Sequence, residues 1–484
     1  MSDPEAKRER LFWAATFLLA ALPLFGWWLY GLFDLDEGFY AAVTSEMLRR
    51  GDWITPYYNG QPWFEKPILL YWAAAPFMAL FGEDFGPRIP SVLANLGLYA
   101  MVGVFVARRT SPAAGRWTVL VLGLSPLMAI WGKMMMFDAL FVLCLTGSFL
   151  ALYRSFSEGW KWRLVSGLAL GLAVLAKGPV AIVFWVLMMG VTAWRQPGIR
   201  RSVFDGTANT AAFFAMLAAI AIWYVPAYLA NGQAFVQEFL IEQNIGRFTG
   251  GDKAHGVQWY LHPIYFPLIL GVGLFPWSWR IVESWPRKIE EGEVGSSFFQ
   301  FCAHWGLIVL VFFTISGTKL PHYILPAGVP IAILCARRLE SPLFGLPTLL
   351  WGITLTVILN FAGISYYRSS GQEEAHRIAR WLREQRGPVA VYQLSRRESD
   401  RGTGKLELKD TSLPSLGMVL GRNFIKTDDL TQVDRSELPV WVFTRKGRMR
   451  STDLVRYRAE RLVVGRVRPP LPTDKFEVWR LSAR

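Results

Sequence analysis

Two short clusters carry most of the chemistry legible in this chain: Asp34-Leu35-Asp36-Glu37 and Phe64-Glu65-Lys66-Pro67. Both fall between the first long apolar run and the next clear one. A carboxylate such as Asp36 can serve as general base when it sits within hydrogen-bond reach of an acceptor hydroxyl. Glu37 beside it doubles the negative charge. Lys66 can hold a lipid phosphate as a point charge, and Lys319 and Arg247 are fitted to the same work, Arg by bidentate contact. Asp138, in Lys133-Met-Met-Met-Phe-Asp138, stands at the outer end of an apolar run. A carboxylate there is a functional hypothesis by default. Glu65 and His255 together can hold a divalent metal with water, although two ligands do not define a site. Plainer readings stand beside each of these. Asp36 can be an exposed charge at a helix end, Lys66 a snorkelling lysine, Asp138 a helix cap, and His255 an ordinary loop histidine.

The elements that must position these groups lie in a membrane. The 484 residues are 52% hydrophobic and 18% charged, with mean hydropathy +0.27. A soluble chain of this kind carries about 25% charge. Here the apolar residues come in blocks and the charges lie between them, the pattern of a polytopic membrane protein. The formal charge of +14 sits in short loops between apolar runs. It reads as topology and contact with anionic lipid, not nucleic acid. Cys144, Cys302 and Cys335 lie inside apolar runs and form no disulfide or zinc-thiolate pattern. Lys7, Arg8 and Arg10 precede an apolar run longer than a signal-peptide core, so that run reads as a retained anchor.

Eleven segments are apolar enough to be candidate spans: 11–32, 89–107, 117–132, 136–153, 164–176, 180–194, 208–229, 264–281, 298–315, 323–336 and 349–366. Basic residues gather in alternate connections, at Arg108/Arg109/Arg116, Arg154/Lys161/Arg163, Arg195/Arg200/Arg201, Arg280/Arg287/Lys288 and Arg337/Arg338. The positive-inside rule assigns these and the N-terminus to the cytoplasm. Lys177-Gly178-Pro179 and Gly317–His322 are then outer turns of hairpins. The outer face collects Asp34, Asp36, Glu37, Glu65, Lys66, Asp138, Lys177, Lys319, His322 and the loop 231–262. The stretch Pro67–Leu80, short and Pro-punctuated, is expected to lie along the membrane or dip into it. After Tyr366 charges and turn residues return, with an amphipathic helix over Glu373–Gln385 and strands at Val389–Tyr392 and Val440–Phe443. The expected division is a membrane domain over 1–366, with its first outer loop at 33–88, and a small α/β domain over 367–484 on the outer side.

The first outer segment also carries a pattern: Asp36-Glu-Gly-Phe39-Tyr40-Ala, Gly51-Asp-Trp-Ile-Thr-Pro56, and Asn59-Gly-Gln-Pro-Trp-Phe-Glu65-Lys66-Pro67. With Arg88-Ile-Pro-Ser91, Glu242-Gln-Asn-Ile-Gly-Arg247-Phe and Lys319-Leu-Pro-His-Tyr323-Ile-Leu-Pro326, it resembles the lipid A aminoarabinose transferases and their relatives, the protein O-mannosyltransferases. These are GT-C membrane glycosyltransferases. The resemblance covers about Leu11 to Ala336. It implies an all-α GT-C domain of about 11–13 transmembrane helices in the bacterial inner membrane, with its site on the periplasmic face. It also implies a polyprenyl-phosphate-linked sugar donor, a lipid or glycan acceptor, and no nucleotide cofactor. By the same resemblance Asp36 is the first-loop catalytic aspartate and Asp138 the second acidic position. Lys66 contacts the lipid phosphate, Tyr40 and Tyr323 line the site, and Glu65 with His255 takes the metal-associated positions (Zn or Mg). The aminoarabinose transferases usually have Arg where this chain has Phe39, so the reaction class carries over further than the sugar or the acceptor.

The mechanism expected is one direct displacement with inversion. Asp36 receives the acceptor proton, Lys66 with Lys319 or Arg247 stabilises the departing phosphate, and Asp138 orients sugar or acceptor. A monomer suffices for it. A protein O-mannosyltransferase is the neighbouring alternative. A flippase or secondary transporter would place its charges near the midplane, within paired broken helices of a repeated fold. Here they gather at one face and no repeat is visible.

Overall fold

The computed structural model describes residues 3–34, 36–246, 259–283, 295–339, 341, 344–394, 413–427, 429–430, 433, 435–449, 455–462 and 475–483. Helices dominate. The first nine are α1 (Asp3–Ala21), α2 (Asp36–Arg50), α3 (Leu69–Phe85), α4 (Ile89–Arg109), α5 (Pro112–Gly123), α6 (Pro126–Gly132), α7 (Phe137–Glu158), α8 (Lys161–Lys177) and α9 (Val180–Arg195). Longer helices follow over Gly206–Phe235, Ser296–Ile315 and Leu346–Ser369, with shorter ones over His262–Gly273 and Leu325–Ala336.

By length and composition, five of the described helices can cross a membrane, or up to seven if each sharply bent pair is one span. The eleven segments read from hydropathy are real apolar stretches, but prolines cut several short. Helix α1 stops at Ala21, before Pro23, so the run to Leu32 is not one helix. The run 117–132 is broken into α5 and α6 at Ser125-Pro126, with a 63° bend. The helix expected over 264–281 ends at Gly273, three residues before Pro276. Each proline removes a backbone donor and clashes with the preceding turn. Both expected hairpin turns form. Helix α8 ends at Lys177, where Gly178 takes φ +101°, and α9 begins at Val180. Likewise a 3₁₀ turn over Pro321–Ile324 separates Ser296–Ile315 from Leu325–Ala336.

Two compact units emerge. The first comprises residues 1–27, 64–73 and 88–360; the second comprises 28–63, 74–87 and 361–484. In the first, small residues let helices approach closely. A Cβ on Gly167 would lie 2.1 Å from the Ala212 carbonyl oxygen, and one on Gly171 would lie 2.5 Å from the Ala219 Cβ. This small-xxx-small seam seats α8 against the helix Gly206–Phe235, where packing alone must hold helices in lipid. Lys133, in the loop between α6 and α7, is buried and donates to Asn360 Oδ1 at 3.1 Å. Burial, with help from the Arg88 charge, pulls its ammonium down to about 8. Between that value and the ordinary 10.5 the unfolded chain holds the extra proton, so stability rises with pH across this window. Lys133→Met should flatten that rise, which is worth up to about 3 kcal/mol. Melting midpoints of the purified protein at pH 7 and pH 9.5 measure it.

The second unit contains a five-stranded sheet in the order β4-β3-β5-β7-β6, after a two-stranded ribbon of β1 (Tyr57–Tyr58) and β2 (Gln61–Pro62). Strands β3 (Val389–Tyr392), β4 (Ile425–Thr427) and β5 (Val440–Arg445) run parallel; β7 (Phe476–Ser482) is antiparallel to β5 and to β6 (Arg458–Arg461). The amphipathic helix expected at 373–385 forms over Gln372–Glu384 and buries Ala375, Ile378, Ala379 and Leu382. This is the small α/β fold expected after Tyr366, but it is completed by residues 28–63 and 74–87. Asp34 is the deepest link. Its Oδ2 lies 3.1 Å from His376 Nε2 and its Oδ1 accepts from the Ser415 backbone N–H at 2.8 Å. Ser415 Oγ is 2.6 Å from the same His376 nitrogen, and Tyr367 Oη is 2.9 Å from His376 Nδ1. Asp34, His376 and Ser415 are all buried, so each needs these partners.

Candidate functional site

In the first unit the polar groups converge on Asp138. It occupies the first turn of α7, where the unpaired N–H groups of a helix start favour an anion. The loop before it is held by Ser91, whose Oγ lies 3.3 Å from the Met136 backbone nitrogen. Tyr71 meets Phe137 edge-to-face, with centroids 5.2 Å apart. Lys177, the last residue of α8, reaches across and donates to Asp138 Oδ1. On the other side His322 Nε2 stands 3.9 Å from Asp138 Oδ2, and Lys66 is near enough to act on the carboxylate by its charge. Asp138 and Lys177 are about 4% and 11% exposed, so the pair is withdrawn from bulk water.

A cavity of about 600 Å³ opens beside this cluster. Glu65, Lys66, Lys177, Gln243 and Tyr323 give it a polar end, while Val180, Val183, Phe239, Leu240, Phe312 and Phe313 give it apolar walls. The Lys177 ammonium sits 4.6 Å from the Tyr323 ring centroid. Such a shape suits an amphiphile with an anionic head and a hydrocarbon tail. Lys319 is buried nearby in the same loop as Thr318, with its ammonium donating to the Ser316 carbonyl. Desolvation lowers its pKa. Gln243 is buried on an 11-residue π-helical segment, Val236–Gly246, a rare conformation that often marks functional positions. Its amide nitrogen makes a long 3.5 Å contact to Glu65 Oε1, and its Oε1 is buried without a hydrogen-bond partner among the described residues.

Asp36, Glu37 and Tyr40 belong to the second unit. All three lie on α2, with Asp36 exposed in the first turn. Glu37 is buried and accepts from the Phe33 backbone N–H at 3.0 Å, which fixes the start of the helix. Tyr40 is buried. Phe39 stacks on Trp63 at 5.1 Å and meets Tyr58 at 4.9 Å, so the position that differs from the aminoarabinose pattern belongs to an aromatic cluster. Arg247 and His255 lie outside the described residues. Of the expected metal positions only Glu65 is described, and it faces an amide. Among the described residues no three His, Cys, Asp or Glu side chains gather as a metal set.

Lys177, His322 and Gln243 were not among the site residues inferred from sequence. For Lys177 and His322 the available signal is their place among the charges expected at the outer face. Their convergence on Asp138 depends on α7, α8 and the 3₁₀ turn meeting in space.

The family described as dolichyl-phosphate-mannose-protein mannosyltransferase matches residues 65–224. An undecaprenyl phosphate-α-4-amino-4-deoxy-L-arabinose arabinosyl transferase of Pseudomonas aeruginosa is 31% identical over 332 residues, covering 65% of this chain and 57% of the relative. One from Pseudomonas fluorescens is 31% identical over 346 residues, covering 68% and 60%. The chain thus spans somewhat under two thirds of the length of these relatives. Among solved structures, ArnT from Cupriavidus metallidurans bound to undecaprenyl phosphate superposes with a TM-score of 0.75 at 18% identity, covering 97% of both chains. The oligosaccharyltransferase AglB from Archaeoglobus fulgidus gives 0.51 at 11% identity, covering 92% of this chain and 70% of the other. In fold the chain is similar to ArnT, and about two thirds of its sequence is similar to the aminoarabinose transferases; its long apolar helices are those of a multi-pass membrane protein.

Proposed function

We propose that the protein is a glycosyltransferase of the bacterial inner membrane. It moves a sugar from a polyprenyl-phosphate donor to an envelope acceptor on the outer face. The observation that carries this reading is the cavity beside Asp138, apolar along its walls and lined with lysines at one end. The likeness to the aminoarabinose transferases supports the same donor class.

In the reaction the acceptor oxygen attacks the anomeric carbon, and the bond from that carbon to the phosphate oxygen breaks. The electron pair leaves with polyprenyl phosphate, and the configuration inverts. Lys66 and Lys177 offset the charge that accumulates on the departing phosphate, with Lys319 in support. Fixed cations in a partly desolvated cleft are worth far more than the same charges in water. Asp138 holds Lys177 in place and presents its free lone pairs to sugar hydroxyls. Asp36 takes the acceptor proton. Phosphate is a good leaving group, so orientation and charge collection supply much of the rate.

Purified protein in nanodiscs, given a synthetic polyprenyl-phosphate sugar and envelope lipid extract, should release polyprenyl phosphate. Transport without turnover, or binding without turnover, would leave the donor intact and sink the reading. A peptide acceptor is the second reading, favoured by the mannosyltransferase family match over 65–224. Offering lipid extract and acceptor peptide in parallel separates the two.

Gln243 adds a finer expectation. Its buried carbonyl oxygen, without a partner among the described residues, accepts a hydroxyl or amino hydrogen of the donor sugar. Gln243→Met keeps the volume and removes the acceptor. It should raise KM for the donor by about tenfold, the worth of one hydrogen bond, with kcat changed much less. Unchanged KM would remove Gln243 from the sugar site.

A further inference from the structure

A second groove, of about 710 Å³, runs along the first unit where α4, α7 and α8 meet. Its floor is built from small residues: Ala100, Gly147, Ala151 and Ala169. A Cβ on Gly147 would meet only ordinary contacts, with Met101 at 3.6 Å and Ala169 at 3.9 Å. The trough exists because these positions carry too little side chain to fill the seam. Its flanks are apolar and outward-facing, with Val104 at 42% and Val165 at 41% exposure. The shape is that of a slot for a hydrocarbon chain.

One end of the slot is basic. Arg108, Arg109 and Arg154 line it, against a single carboxylate among the described residues, Glu158. Glu158 bridges two of the three, pairing with Arg109 through Oε1 and accepting from Arg154 Nε at 2.6 Å through Oε2. The bridge fixes both guanidiniums without neutralising them together. Arg154 also lies flat over the Trp162 ring, 3.4 Å from its centroid, and Arg109 lies over Phe105 at 5.5 Å. Arg108 is exposed. Two cations pinned by aromatic faces, a third exposed, and a net charge of two among the described lining residues make a phosphate cradle above an apolar trough. The positive-inside reading puts this end at the cytoplasmic surface, where anionic head groups lie. Basic pockets between transmembrane helices on that side take anionic lipid heads.

We infer that this groove is a binding site for one anionic phospholipid, its phosphate on Arg108, Arg109 and Arg154 and an acyl chain over Gly147 and Ala169. The site is separate from the cavity beside Asp138, and it stands whether or not the protein transfers sugar. A second protein chain is the competing occupant. The net positive charge and the narrow, small-residue floor favour a lipid.

The test is native mass spectrometry of the full chain released from nanodiscs of mixed phosphatidylglycerol and phosphatidylethanolamine. The wild type should retain one phosphatidylglycerol in clear preference. The double variant Arg108→Gln/Arg154→Gln should lose that preference by about 30-fold, from roughly fivefold per arginine near a charged surface. Arg200→Gln/Arg201→Gln removes two charges from another basic loop and should leave the preference intact. Ala169→Leu fills the trough and should evict the lipid while every arginine remains. Equal losses in both double variants would reduce the effect to general surface charge and overturn the site. So would retention of lipid in Ala169→Leu, or a dimer whose cross-links through Val104 and Val165 show the groove covered by a second copy.

Discussion

Asp36→Asn is expected to reduce sugar transfer by about 10²–10⁴-fold, the usual worth of a positioned general base. Protein level, melting temperature and donor binding should stay near the wild-type values. The separation is expected because Asp36 is exposed in the first turn of α2, where the amide of Asn fills the same space. Nothing buried is left unpaired. The readout is release of polyprenyl phosphate under saturating donor, with binding followed separately. Substantial turnover would take Asp36 out of the reaction. Glu37→Gln makes the contrast. Its buried carboxylate holds the Phe33 N–H, so its loss should lower stability more than it changes the chemical step.

The second large effect belongs to Lys177. Lys177→Met leaves the Asp138 carboxylate buried without its nearest ammonium, and breaking a buried pair on one side costs about 3–5 kcal/mol. His322 at 3.9 Å and the nearby Lys66 offset part of that loss, so the lower end is expected. Asp138→Asn/Lys177→Met removes both charges and should recover most of the stability. Activity should follow neither path. It should be lost in both single variants and stay lost in the double, because charge collection at the phosphate needs the cation itself. Thermal melting and transfer assays on the three variants form the cycle. Recovery of transfer in the double variant would show the pair to be structural only.

The sequence carried the fold class and most of the site's membership, but little of the pairing. Blocks of apolar residues and the alternation of basic loops sufficed for the membrane class and for the positions of two hairpin turns. They overstated helix length at Pro23, Pro126 and Pro276, because hydropathy is blind to a missing backbone donor, whereas helices run on through Pro226, Pro267 and Pro330. Asp138 was legible as a carboxylate where carboxylates are expensive. Lys177, 39 residues on, was legible only as another outer-face charge. Their ion pair requires α8 to pack on α7 in one register, which the hydrogen bonds of Ser148 Oγ to Ser166 help to set. The partner of Asp34 was out of reach, since His376 lies 342 residues downstream and no local pattern joins them.

That separation also orders events during synthesis. Asp34 leaves the ribosome long before His376 and Ser415 exist. At about 5–20 residues per second, the interval is on the order of tens of seconds. Through that time the segment carrying Asp36 has been made but lacks the histidine and serine that clasp its base. A nascent chain stalled before residue 372 would therefore hold the bundle and the lysines, yet leave its first aspartates unanchored until the last quarter of translation.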